Sequence, residues 1–362
     1  MGRADYKAVK QILLGLLVLF AACKKDKPTE LPKPPASDST DKVYIVSEGS
    51  LGNGNSALDM YDLKTGTAYR DVYKSANNAE LGDVLQSIQV IGDRMFLAVN
   101  NSDKIVVLDK NDHKQVGIIN IPKPRYILPV SADKAYVSTL YSNKMYIINP
   151  NTMQTIGSVA LPAQNPEGML LYNGKAYVAA WDTASDKVFV LNTATDQLDK
   201  EIAVAGRAPH SVVLDKNNKI WVLSGNVYKG KDAALTQVDP ATAQVTRSFN
   251  FPAKADPIKP VFNREQDMLY FIEVDYNGGT EYNGIYRMQI DADKLPEQPF
   301  IKAQQFQYFW ALGIQPDNNR IFVGDPKGFT QKGIVYIYDT DGNRKGEFET
   351  SVGPGQFYFH QN

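Results

Sequence analysis

The chain has 362 residues, 43% hydrophobic and 22% charged, which is enough apolar material for a large buried core and an ordinary balance for a globular protein. Its 39 basic and 40 acidic residues give a net charge of −1, so no overall field favours nucleic acid or an anionic surface. Cys23 is the only cysteine, which excludes an intramolecular disulfide, a Cys-based metal site and any second thiol for catalysis.

At the N-terminus, Arg3, Lys7 and Lys10 precede the apolar run "ILLGLLVLFAA", too short for a finished membrane span and of the length of a signal-peptide core. The run ends in "LFAAC", which resembles the bacterial lipobox, with Ala21 and Ala22 before Cys23 and the less usual Phe20 ahead of them. That resemblance implies cleavage before Cys23 and lipidation of its thiol and new amino group, so that residues 1–22 are a lipoprotein signal peptide. The next stretch, "KKDKPTELPKPPASDST", is rich in Pro and charge and has no apolar periodicity. Residues 23–42 therefore read as a disordered tether, reaching on the order of 50 Å at roughly 3.1 Å per residue in polyproline II.

From residue 43 onward the chain repeats itself. A β-run centred on an aromatic recurs at Tyr44, Phe96, Tyr136, Tyr177, Trp221, Tyr270 and Phe322. Each is followed by a second β-run, generally ending in Asp or Asn, as in "LDMYDL", "IVVLDK", "MYIINP", "VFVLNT", "LTQVDP" and "VYIYDT". The sixth unit departs, with Gln289 at that position. Short polar turns such as "SADK" and "YNGK" precede the aromatic run, and "PNTMQ" or "PATAQ" follow the second. Each unit thus reads as four strands, and seven such units with no helix between them predict an all-β, seven-bladed β-propeller over residues 43–362. The first unit starts at its aromatic strand without an inner strand before it, whereas the chain ends in the strand "GQFYFHQN" with no successor. Joined, they complete one blade, and a closed ring leaves no unpaired edge.

The unit "KAYVSTLYSNKMYIINPNTMQTIGSVALP" resembles the YVTN repeat of YncE-like and surface-layer-associated propellers, a likeness that covers residues 43–362 and bears on fold far more than on function. Function has to come from the loops. In a propeller the connections between strands two and three, and from strand four to the next strand one, share a face. There lie "SEGSLGNGNS", "YKSANNAELGDV", "WDTASD", "SGNVYKGKDAA", "DYNGGTEYN", "PFIKAQQFQYFW" and "GDPKGFTQKG". They carry Trp181, Tyr228, Tyr276, Tyr282, Tyr308, Trp310 and Phe329, which together with Tyr141 are broad rings with polar edges suited to a large, partly polar ligand or a glycan. Counting back from the aromatic landmark places Gln86, Tyr126, Glu167, His210, Lys259, Trp310 and Gln356 around the channel mouth, with Arg125 and Arg207 beside two of them.

Catalytic and metal signals are sparse. The three histidines, His113, His210 and His360, form no cluster with carboxylates at zinc-ligand spacing. A lactonase-type site remains conceivable if Glu167, Arg207 and His210 converge to supply acid, base and oxyanion contacts. "GSLGNGN" lacks the helix and Lys of a phosphate-cradling loop. Asp275, Asn277 and Glu281 offer oxygens for Ca²⁺ but do not match the EF-hand pattern.

With its lipobox, tether and one-sided loops, the chain is similar to the cobalamin-capturing surface propeller lipoproteins of Bacteroidota. That resemblance implies an outer-membrane-anchored, non-enzymatic binding protein, with no cofactor of its own, taking a corrinoid or another large nutrient and passing it to a TonB-dependent transporter. The cell surface is the expected side. Lys24 and Lys25 differ from the acidic export signals of such bacteria and leave a periplasm-facing orientation open. An adhesion scaffold for protein or glycan is the alternative class.

Overall fold

The computed structural model describes residues 41–274, 283–305 and 307–360. The calls made above on the signal peptide, Cys23, nearly all of the tether, Tyr276, Tyr282 and the oxygen-rich loop at 275–281 fall outside them.

Twenty-eight strands form seven four-stranded antiparallel sheets. Each inner strand touches the inner strands of both neighbouring sheets, and the series of contacts returns on itself, so the sheets are the blades of a closed ring. The predicted propeller is therefore the fold. Blade 1 is composite: the C-terminal strand Pro354–Phe359 is its inner strand and pairs with Lys42–Ser47 through Val43↔Phe359, Tyr44↔Tyr358, Ile45↔Phe357 and Val46↔Gln356. Among the described residues an α-helix, Val72–Asn77, departs from the helix-free connections expected and lies between blade 1 and blade 2.

The repeated aromatic is explained by packing. All seven landmark side chains are buried within or between blades. Tyr44 of blade 1 contacts the ring of His113 in blade 2, with its hydroxyl 3.0 Å from Nε2, while burial pushes that imidazole down to about 4 and keeps it neutral. The repeated Asp or Asn is explained by turn chemistry. Its side-chain oxygen accepts from the backbone N–H two residues on, at 2.8–3.0 Å, in Asp62, Asp109, Asn149, Asn192, Asp239 and Asp339. Blade 6, with Gln289 there, has no such turn and runs instead through a long connection, 290–300, to a two-residue outer strand Ile301–Lys302.

Adjacent blades are tied by cations reaching into these turns. Arg94 donates to the carbonyls of Pro150 and Asn151, Arg247 to that of Ile290, and Arg287 to that of Thr340. Most connections on this side span two to six residues, so the long ones gather on the other face as the sequence predicts.

Candidate functional site at the channel mouth

Inner strands begin at the long-loop face, and their first residues share a local design. Pro opens the strand in blades 1, 3, 4 and 5, where its missing N–H costs no ladder bond. The residue before the strand in blades 1 to 5 is left-handed: Gly353, Val84, Lys123, Asn165 and Ala208 have φ between 44° and 73°. A β-bulge follows at once in blades 1 to 5, and in blade 6 it falls between Ile258 and Val261. Such a bulge re-aims side chains, here towards the mouth of the channel.

Matching the blades through their strand pairing puts Gln86, Arg125, Glu167, His210, Ile258, Trp310 and Gly355 at one ring position. This corrects the counted ring by one residue in three blades: Arg125 stands where Tyr126 was expected, Ile258 where Lys259 was, and Gly355 where Gln356 was. Tyr126 and Lys259 follow directly and still take part. Tyr126 Oη lies 3.4 Å from Gln86 Nε2, which donates to it. Lys259, left-handed at φ 55°, puts its ammonium over the Trp310 ring at 5.9 Å.

Arg125 is the centre of one polar chain. Its Nε donates to Glu167 Oε2 at 2.9 Å, a second nitrogen donates to Glu167 Oε1, and a third donates to Gln86 Oε1. Burial works against the Arg125 charge, but Glu167 beside it outweighs that and raises its pKa. Glu48 is the centre of the second group. It comes from the strand-two to strand-three loop of blade 1 and occupies the space that Gly355 leaves, since a Cβ on Gly355 would collide with its carboxylate. Trp310 Nε1 donates to Glu48 Oε1 at 2.8 Å. Burial raises the Glu48 pKa, while Lys259, the indole N–H and Arg125 pull it back.

Tyr308 stacks on Trp310 with centroids 6.1 Å apart, and Phe329 meets it edge-on at 5.7 Å. His210 accepts or donates at Nδ1 with Ser211 Oγ at 2.9 Å, and burial, aided by Lys259, pushes it down to about 4.

The remaining predicted residues lie apart from this ring. Arg207 is exposed and donates to the Ala184 carbonyl at 2.6 Å, so the structure does not assemble it with Glu167 and His210. Glu167 is in turn held by Arg125. Trp181 is half-buried, its Nε1 donating to the Gly225 carbonyl of the next blade at 3.1 Å, which makes it a blade-packing residue. Tyr141 and Tyr228 are 79% and 85% exposed, and Leu51 is 77% exposed. These are the three most exposed large hydrophobics among the described residues, and all stand on strand-two to strand-three loops of one face. Sequence reasoning missed Leu51, Glu48 and the central role of Arg125. Among the described residues no group of three or more His, Cys, Asp or Glu is placed to hold a metal ion.

A charge-balanced polar ring of Glu48, Arg125, Glu167 and Lys259 thus lies at the channel mouth of a seven-bladed propeller. The chain belongs to the family described as domain of unknown function DUF5074, which matches residues 41–360. No curated protein matches it in sequence. Among solved structures it is similar to a quinonprotein alcohol dehydrogenase-like protein from Bacteroides thetaiotaomicron, at 15% identity and TM-score 0.68, covering 89% of this chain and 79% of that one. It is also similar to the dihydro-heme d1 dehydrogenase NirN in complex with DHE, at 10% identity and TM-score 0.60, covering 91% and 79%. A third likeness, to the hydrazine synthase of Kuenenia stuttgartiensis, has 12% identity and TM-score 0.60, covering 74% and 86%. At these identities the likeness concerns the fold alone.

Proposed function

We propose that the protein is a lipid-tethered, non-catalytic propeller that binds a large, partly polar ligand across its long-loop face. The observation that carries this reading is that Leu51, Tyr141 and Tyr228 are open to solvent on loops of blades 1, 3 and 5, on the face where the ring of Arg125, Glu167, His210, Lys259 and Trp310 lies. Exposed rings beside fixed polar groups suit ligands that are apolar in the body and polar at the edge. A corrinoid such as cobalamin is the first candidate, followed by a glycan or another large nutrient, with a TonB-dependent transporter as recipient at the outer membrane. The pairing of Glu167 with Arg125 and of Arg207 with a rim carbonyl supports binding over lactonase chemistry.

A calorimetric screen of the purified protein against cobalamin, related corrinoids, haem, siderophores and oligosaccharides tests this reading. For the ligand it identifies, Tyr141→Ala and Tyr228→Ala should each lose roughly 1–4 kcal/mol of affinity, about 5-fold to 1000-fold, with melting temperature unchanged. Trp181→Ala should behave oppositely, costing about 3–5 kcal/mol of folding stability through lost packing. Normal affinity in both tyrosine variants would remove this face as the site. A large protein footprint with no saturable small-molecule binding would point to the scaffold class instead. For the anchor, Cys23→Ala should move the protein out of the membrane fraction with its melting curve intact. Retention after a high-salt wash would contradict lipidation.

A further inference from the structure

In blade order the mouth presents Glu48, Gln86, Arg125, Glu167, His210, Lys259 and Trp310. Five of these are hydrogen-bonded to another member: Gln86 and Glu167 to Arg125, and Glu48 to Trp310. The two that are not, His210 and Lys259, are neighbours in blades 5 and 6. His210 uses only Nδ1, with the hydroxyl of the adjacent Ser211. Lys259 faces the Trp310 ring at 5.9 Å and lies within 4 Å of no described carboxylate. Both are half-buried at the mouth.

We propose that Lys259 Nζ and His210 Nε2 form a subsite for an anionic oxygen group, a carboxylate or a phosphate, carried by the ligand of this face. The proposal rests on the binding reading above and names the chemistry it requires of the ligand.

The donors fit such a group. The Lys259 ammonium supplies a full charge and three N–H donors with none committed to a protein acceptor. When Ser211 Oγ–H donates to Nδ1, the neutral imidazole carries its proton on Nε2 and becomes a second donor, so an anion at Nε2 selects that tautomer. The Lys259 backbone helps: at φ 55°, inside a bulge and followed by Pro260, its Cα–Cβ direction is set by the chain. Two built-in anions are already committed. Glu48 is turned to the indole N–H of Trp310, and Glu167 is clamped by Arg125. Neither hydrogen-bonds to the pair at 210 and 259, although Glu48 acts on Lys259 through space, and an anionic group gains more from the ammonium than a neutral edge does.

The test needs no knowledge of the ligand. The imidazole ¹⁵N resonances of the purified protein are followed while inorganic phosphate, and separately acetate, is titrated at constant ionic strength. At least one anion should shift His210 saturably, with the Nε2–H tautomer growing, while the enclosed His113 ring stays still. Lys259→Met, and Lys259→Gln should the first variant melt early, should weaken this about tenfold or more, as expected for a lost charge-assisted contact. Ile156→Ala, on the exposed outer strand of blade 3, should leave it unchanged. The acetate and phosphate arms assign the group as carboxylate or phosphate. A His210 resonance unmoved by both anions, or moved equally in the Lys259 variants, overturns the proposal. Because the tyrosine variants are read against the screened ligand and these against simple anions, failure of the subsite and failure of the binding face are seen separately.

Discussion

Removal of residues 354–362 is expected to abolish the cooperative unfolding transition and drive the chain into aggregates. Those residues include Pro354–Phe359, the inner strand of blade 1, and without it Lys42–Ser47 loses the ladder from Val43 to Ser47 on one side. Phe357 and Phe359 pack against Phe322 of blade 7, at centroid distances of 5.9 and 5.3 Å. They approach so closely that a Cβ on Gly313 would lie 2.9 Å from Phe359. Burying each large side chain is worth about 1.5–3 kcal/mol, and the lost ladder adds to that. Against a total stability of about 5–15 kcal/mol for a folded domain, the deletion removes much of the margin and exposes an apolar edge. Differential scanning of the truncated protein checks this, and a synthetic peptide of residues 354–362 should restore part of the transition by strand addition. A truncated protein with the parent's melting temperature would mean that the ring is not closed by this strand.

Closure was legible because it is a matter of counting strands: a first unit without an inner strand and a last strand without successors can only meet. The Gln289 anomaly was legible for a similar reason. A side chain one methylene longer replaces the Asp or Asn that accepts from the N–H two residues on in the other blades, and the turn there gives way to the connection 290–300. The ring was read less well. In blade 3 a second register shift, between Pro129 and Ser131, adds a residue between the landmark Tyr136 and the mouth, so counting landed on Tyr126 instead of Arg125. Bulges of this kind are set by strand pairing and leave no mark in hydrophobic alternation. Glu48 was hidden in a Gly-rich loop that reads as a connector. Its signal lay elsewhere, in Gly355, the one ring position without a side chain. An aromatic on a loop looks the same in sequence whether its N–H faces solvent or, as at Trp181, a carbonyl of the next blade.

Asp59 gives the second large effect. Its strand position is filled in the other blades by Val106, Tyr146, Phe189, Thr236, Tyr286 and Tyr336, so a carboxylate there needs a specific reason. The reason is the seam. Oδ1 accepts from the Asp71 N–H at 2.8 Å and the Ser351 hydroxyl at 2.7 Å, while Oδ2 accepts from the Ser351 N–H and the Ser47 hydroxyl, both at 2.7 Å. One buried side chain thus joins blade 1, the link to blade 2 and the outer strand of blade 7. Burial raises its pKa, and the donors from Asp71, Ser351 and Ser47 act in the opposite direction. Each oxygen takes one backbone N–H, so an amide cannot replace it: whichever position receives the NH₂ of Asn faces an N–H it cannot accept from. Asp59→Asn should therefore cost roughly 1–3 kcal/mol, and Asp59→Ala, which strands two backbone N–H groups at about 1–3 kcal/mol each, about 2–6 kcal/mol. Relief from holding a charge out of water offsets part of the second figure. Urea denaturation of the two variants beside Ser351→Ala measures this, and the order Ala worst, Asn next, Ser351→Ala mildest is the signature of an acceptor that fastens the seam. Equal stability of Asp59→Asn and the parent would show that one backbone N–H at the seam finds another partner, and that the ring is held shut by its aromatic strand alone.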